Sequence, residues 1–160
     1  MFELIKLLFT TKPSDIDELQ LLAKKYLPPS RYKFMMWCGY IIYRKSKEDT
    51  INAYFETALG IKAKRHESFH LKRAQTAHNT WVGYYLNYVW EWLKGNPFWP
   101  PFNSAYYTSP HEMEAYALED NQDALDNYDT TLFKSKYTIK NRKKTYKEHK
   151  DEWKTYVKSL

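Results

Sequence analysis

The sequence has only one cysteine, Cys38, and few backbone punctuators, with four glycines and seven prolines in 160 residues. A single thiol excludes an internal disulfide and any zinc site built from several cysteines, and it fits a reducing compartment such as the cytoplasm. Any metal must therefore be held by histidines and carboxylates. So little Gly and Pro excludes collagen-like and linker-dominated architectures. Long apolar runs are also lacking. The longest, from Phe34 to Tyr43, is far short of the ~20 residues that span a bilayer, so no membrane span is expected. The opening Met-Phe-Glu-Leu-Ile-Lys-Leu-Leu-Phe is interrupted by Glu3 and Lys6, and no small-residue cleavage site follows. A secretory leader is not expected.

What the chain does have is aromatic side chains, 18% of all residues, including fifteen Tyr and six Trp. Together with 43% hydrophobic residues, that is the composition of a folded domain able to bury its own core. The net charge of +6 is unevenly placed. Residues 134–160 hold ten Lys or Arg against Glu148, Asp151 and Glu152, so the remainder of the chain is close to neutral. The expected organisation is one domain over residues 1–133 and a basic segment over 134–160. In the latter, Tyr146, Trp153, Val157 and Leu160 fall roughly on one face of a helix beginning near Asn141. Such a segment either docks on the domain or carries a nucleic-acid or protein partner, with Lys and Arg for phosphates and Tyr137, Tyr146, Trp153 and Tyr156 for stacking.

Local signals predict an α+β fold, mainly helical, with a small sheet. Ser14, followed by Asp15 and Asp17, has the signature of a helix start, and Pro28-Pro29 would end that helix after Leu27. Arg31 to Tyr43 is aromatic and β-branched and reads as a strand or hairpin arm, irregular at Gly39. Thr50 to Leu59 fits either a strand or a short helix. Helices are expected over Lys62–His78 and Trp81–Lys94, the second stopped by Gly95-Asn96-Pro97. An irregular loop rich in proline and aromatics follows. Ser109-Pro110 then opens a helix to about Asn121.

One motif carries chemistry. His66-Glu67-Ser68-Phe69-His70 matches HExxH. On a helix, residues four apart share a face one turn apart, the separation two imidazoles need to bind one zinc ion. Glu67, rotated ~100° around the axis, is placed to reach a water at that metal and act as general base. A chance match in a chain of this composition has odds of about one in a hundred. The bland alternative is a surface helix among Lys62, Lys64, Arg65, Lys72 and Arg73. The extended HExxHxxGxxH pattern fails, with Arg73 at the Gly position and Thr76 at the third His. His78 lies ~12 Å further along the helix axis than His70, too far to share the ion.

Downstream, Ser109-Pro110-His111-Glu112-Met113-Glu114-Ala115 begins a helix with carboxylates in its first turns. Here the chain resembles the gluzincin metallopeptidases, whose third ligand is a Glu on a second helix in an E-x-x-A-[D/N] setting. Residues 112–115 fit the first four positions of that pattern. The run looks similar to compact prokaryotic and phage-encoded HExxH proteins with a P-x-E-x-E-A helix, and more distantly to the ImmA/IrrE metallopeptidases. The resemblance spans residues 50–120 and implies a zincin-like fold with zinc held by His66, His70 and Glu112. Glu114 is the fallback ligand, and Ala115 leaves room for the two helices to approach. It further implies Glu67 as general base, with an oxyanion donor among Tyr106, Tyr107, His111 and Tyr116. The chain departs from the pattern in three places. Tyr116 stands where the family has Asp or Asn, so Glu119 or Asp120 is expected to orient an imidazole instead. Ser68 and Arg65 stand where apolar residues are commoner.

The favoured expectation is a zinc peptidase acting on a peptide or protein, bound as an added strand beside the Arg31–Tyr43 region. Two alternatives stand beside it. One is a structural or assembly protein of phage type that keeps the zincin fold, in which case the setting is host cytoplasm or virion. The other is a basic nucleic-acid-binding module in which HExxH is accidental.

Overall fold

The computed structural model describes residues 2–95, 98, 104–107, 109–121 and 123–127. The basic segment 134–160, with its expected helix, lies outside the described residues. The fold is α+β. Helix α1 (Phe2–Thr10) precedes strands β1 (Gln20–Lys24), β2 (Phe34–Trp37) and β3 (Tyr40–Arg44). These are followed by helices α2 (Glu48–Phe55), α3 (Ala58–Ala77), α4 (Trp81–Lys94), α5 (Ser104–Tyr107), α6 (Pro110–Leu118) and α7 (Ala124–Asn127). Among these helices none is long and apolar enough to cross a membrane.

The strands form one sheet in the order β1-β3-β2, with β1 parallel and β2 antiparallel to the central β3. The segment expected as one strand or hairpin arm instead holds two antiparallel strands, and its irregularity at Gly39 is the turn between them. Cys38 and Gly39 both have positive φ, 48° and 83°, as a two-residue primed turn requires. Cys38 carries the less favourable of the two angles for a side-chain-bearing residue. It is held there by burial and by its N–H, which donates to the Tyr85 hydroxyl at 3.0 Å.

The helix expected from Ser14 to Leu27 does not form. Pro13–Asp15 makes a single 3-10 turn, its start tied by the Lys12 N–H donating to Asp15 Oδ2 at 3.1 Å. The chain then extends into β1, paired with β3 from Gln20↔Tyr40 to Lys24↔Arg44. Helix propensity differs by only a few tenths of a kcal/mol between ordinary residues, so a long-range ladder that buries Leu19 beneath the sheet overrides it. The ambiguous Thr50–Leu59 region resolves as α2, with Glu48 and Asp49 in its first turn and Ile51 buried.

Helix α3 begins four residues before the expected start. Thr57 caps it by accepting from the Gly60 N–H at 3.1 Å. Gly60 is needed because any Cβ there would strike the Tyr54 carbonyl oxygen, so α2 and α3 meet backbone to backbone. Helix α4 matches its expected bounds and is capped in the same way by Thr80. The main core joins sheet to helices through Leu19, Cys38, Ile41, Leu71, Ala74, Trp81 and Tyr84. A second core of Phe69, Ala115 and Leu118 clamps α3 to α6.

Candidate metal centre

That second core positions the site. Phe69, between the two histidines of the motif, is 1% exposed and packs on Ala115, which is wholly buried. The small side chain at 115 lets α6 lie close along α3. Helix α6 is also unusual in composition for a buried element. Pro110, His111, Glu112, Met113, Glu114 and Ala115 are all buried. Charged groups are almost never fully buried unless partnered, so each polar side chain here must be accounted for.

Glu112 faces the motif. His66 Nε2 lies 3.3 Å from its Oε2 and His70 Nε2 3.3 Å from its Oε1. One ligand atom from each of the three residues falls within 4.8 Å of the others. The Tyr88 hydroxyl donates to Glu112 Oε1 at 2.7 Å. Behind His66, its Nδ1 meets Glu119 Oε2 at 2.9 Å, which places a carboxylate where one was expected at Glu119 or Asp120. Lys62 anchors both acids, with Nζ 3.1 Å from Glu119 Oε1 and 2.7 Å from Asp120 Oδ1. Arg65 donates to the Glu119 carbonyl at 2.8 Å. Two of the basic neighbours that favoured a plain surface helix thus bind the C-terminal end of α6, where cations are stabilised by the exposed carbonyls. Tyr116, at the departed Asp/Asn position, sets its ring edge-to-face on His66 at 4.4 Å.

Glu114, the fallback ligand, is not part of this cluster. It points away and forms a buried ion pair with Arg73. His111 also faces elsewhere, its Nε2 donating to Asn87 Oδ1 at 2.9 Å. Burial first, then the Arg73 charge, push its pKa well below the usual range and keep it neutral. His78 caps the C-terminal end of α3, stacked on His111 at 6.5 Å and outside the ligand cluster.

The charges are set by these contacts. Burial opposes a charged His66, but Glu112 and Glu119 outweigh it and hold its pKa at about 10. Burial likewise opposes ionisation of Glu112, yet His70 and His66 hold its carboxyl well below the usual range. In the metal-free chain an imidazolium therefore bridges two carboxylates. The Nδ1 proton is fixed by Glu119, so the proton a divalent cation would displace is the one on Nε2. Both Nε2 atoms converge on the one buried Glu112 carboxylate. Two imidazole nitrogens and a carboxylate are a donor set suited to zinc, and the three side chains could hold it.

Glu67 is half-buried and reaches a cleft of about 420 Å³ that His70 and Glu112 also line. Burial raises its pKa, opposed by His70 and His66, the direction that suits a proton acceptor working near neutrality. Edge strand β2 lines it too, as do Tyr84, Tyr85 and Tyr88 of α4. Of the expected oxyanion donors, Tyr106 lines the cleft, whereas His111 and Tyr116 do not. The side chain of Tyr107 lies outside the described residues. Tyr88 had no sequence signal of its own among fifteen tyrosines. Its spacing from Tyr84, four residues as between His66 and His70, is the only hint that both face one site.

No protein-family model matches the chain, and no curated protein or solved structure matches it either.

Proposed function

We propose that this α+β domain is a zincin-like scaffold and that the chain is a zinc-dependent metallopeptidase with His66, His70 and Glu112 as ligands. The observation that carries the reading is the convergence of the two motif Nε2 atoms on one buried carboxylate, with His66 backed by Glu119 and Glu67 beside them in an open cleft. Held by these three side chains, zinc would supply an activated water and a Lewis acid for the substrate carbonyl. Glu67 takes the proton of the attacking water and passes it to the departing amine. Tyr106 lines the cleft and keeps its proton, since burial and the nearby Glu112 charge both raise its pKa, so its hydroxyl is the donor proposed for the developing oxyanion.

Substrate is placed by the sheet. All four consecutive residues of β2 line the cleft. Because alternate side chains of a strand point to opposite faces, the cleft runs along the strand's edge and not over one face. Counting the antiparallel ladder from the two-residue turn, Trp37 and Met35 spend their backbone groups on β3. Phe34 and Met36 turn theirs to the open edge. A peptide added as a further strand there lies across Glu67 and His70. The cleft has no Lys or Arg among its described lining residues, so a phosphate backbone finds no counter-charge in it. The deciding test is Glu67→Gln. It should keep one zinc per chain and lose peptide hydrolysis by about 10²- to 10⁴-fold; full activity in that variant would contradict the mechanism.

A further inference from the structure

We propose that the cleft selects peptides with a bulky aromatic or long aliphatic side chain next to the scissile bond and rejects acidic ones. This rests on the peptidase reading and adds a substrate class to it. The cleft that Glu67 and His70 line is also lined by Trp37, Tyr85 and Tyr88, rings whose polar ends are already engaged within the protein. Tyr85 stacks on Trp37, with centroids 4.7 Å apart and planes 20° from parallel. Its hydroxyl accepts from the Cys38 N–H at 3.0 Å and donates to Met36 Sδ at 3.7 Å. The Tyr88 hydroxyl is taken by Glu112 at 2.7 Å, and Trp37 Nε1 donates to the Leu4 carbonyl at 2.9 Å. With these atoms occupied, the three side chains offer the cleft ring faces and edges, an apolar surface despite their polar atoms.

The shape is preformed. The Trp37–Tyr85 stack joins the β2–β3 turn to α4, and the turn's own N–H fixes the Tyr85 ring, so the wall needs no ordering when substrate arrives. A space of about 420 Å³ is within the range of ligand pockets and holds the largest natural side chains with peptide backbone beside them. Electrostatics sets the exclusion. Besides tyrosines, the ionisable side chains among the described lining residues are Glu67, His70 and Glu112, with no Lys or Arg. An Asp or Glu side chain in this space would lose its water against aromatic rings with no Lys or Arg to take its place, which is costly. A Phe, Tyr, Leu or Met side chain would instead gain from burial.

The experiment uses the full chain with its zinc content measured, and a peptide library randomised on both sides of a central bond, with cleavage sites read by mass spectrometry. Aromatic and long aliphatic residues should exceed Asp and Glu at one of the two flanking positions by about ten- to a hundredfold in kcat/KM. Met35→Arg, which places a cation on the cleft wall, should narrow that ratio by about tenfold through better turnover of acidic peptides. Cleavage with no side-chain preference, or with acidic residues favoured by the parent, overturns the subsite and leaves the peptidase reading standing. Zinc-loaded protein that cleaves no member of the library overturns the peptidase reading, and the subsite falls with it.

Discussion

On one side of α6, Glu112 shares its carboxylate among His66, His70 and Tyr88. Two residues on, and so ~200° around the helix, Glu114 pairs with the Arg73 guanidinium. Both acids come from the same short segment and both are buried, at 2% and 1% exposure. They differ in what faces them. A guanidinium is always protonated and has no lone pair to offer a metal, so the Glu114 side is a closed structural pair. Imidazoles can give up a proton and present nitrogen lone pairs, so the Glu112 side can exchange that proton for a cation. Burial alone therefore says little about which acid is functional; the chemistry of the partner decides.

Exchanging charge for an amide on each side sharpens this contrast most. Glu114→Gln leaves the buried Arg73 without its carboxylate and should destabilise the chain by about 3–5 kcal/mol, read as a fall in the urea midpoint, while zinc stoichiometry in the folded protein stays at one. Glu112→Gln should do the opposite. Its zinc affinity should drop by more than the roughly hundredfold limit seen for outer partners, with a smaller change in metal-free stability. If Glu114→Gln were the variant that lost zinc, the ligand assignment would pass to the fallback residue.

The next effect is intermediate. Glu119→Gln keeps a hydrogen-bonding side chain at His66 Nδ1 but removes the charge that fixes its proton. Zinc affinity should fall about 10- to 100-fold in competition with a chromophoric chelator, and unchanged affinity would remove Glu119 from the site. Tyr88→Phe is expected to cost about 1 kcal/mol, one hydrogen bond to Glu112, seen as a loss of less than about tenfold in the same titration.

The smallest effect concerns a buried group with no part in the centre. Cys38 is wholly enclosed, and burial pushes its thiol up to about 12, only partly offset by Tyr85. Thiolate is the reactive form, so a maleimide at pH 8 should leave folded protein unlabelled and label it fully in denaturant. Fast labelling of the native chain would show that the turn beneath the aromatic wall opens.

These contrasts also explain what was readable in the residues themselves. His66, Glu67 and His70 could be found because helical spacing alone puts i and i+4 on one face. The end of helix α4 was placed correctly because Gly95-Asn96-Pro97 is a strong local stop signal. Glu112 was named with Glu114 left open, since choosing between them requires knowing that Arg73 lies on the far side of α6, a contact between residues 41 apart in the chain. Tyr88 and the role of Lys62 and Arg65 were hidden for the same reason. Strand β1 was misread as helix because its structure comes from pairing with β3, and Gln-Leu-Leu-Ala-Lys shows no local sign of that partner. The β character of Arg31–Tyr43 could be read from its composition, whereas its folding into two arms about Cys38-Gly39 was not.

Whether the Glu112 side of α6 completes a zinc site is decided by elemental analysis of the purified chain. About one zinc per chain is expected in the parent and none in a folded His66→Ala/His70→Ala variant. A parent that carries no zinc and takes up none when it is supplied would contradict this, and would leave the buried acids and histidines as a structural network.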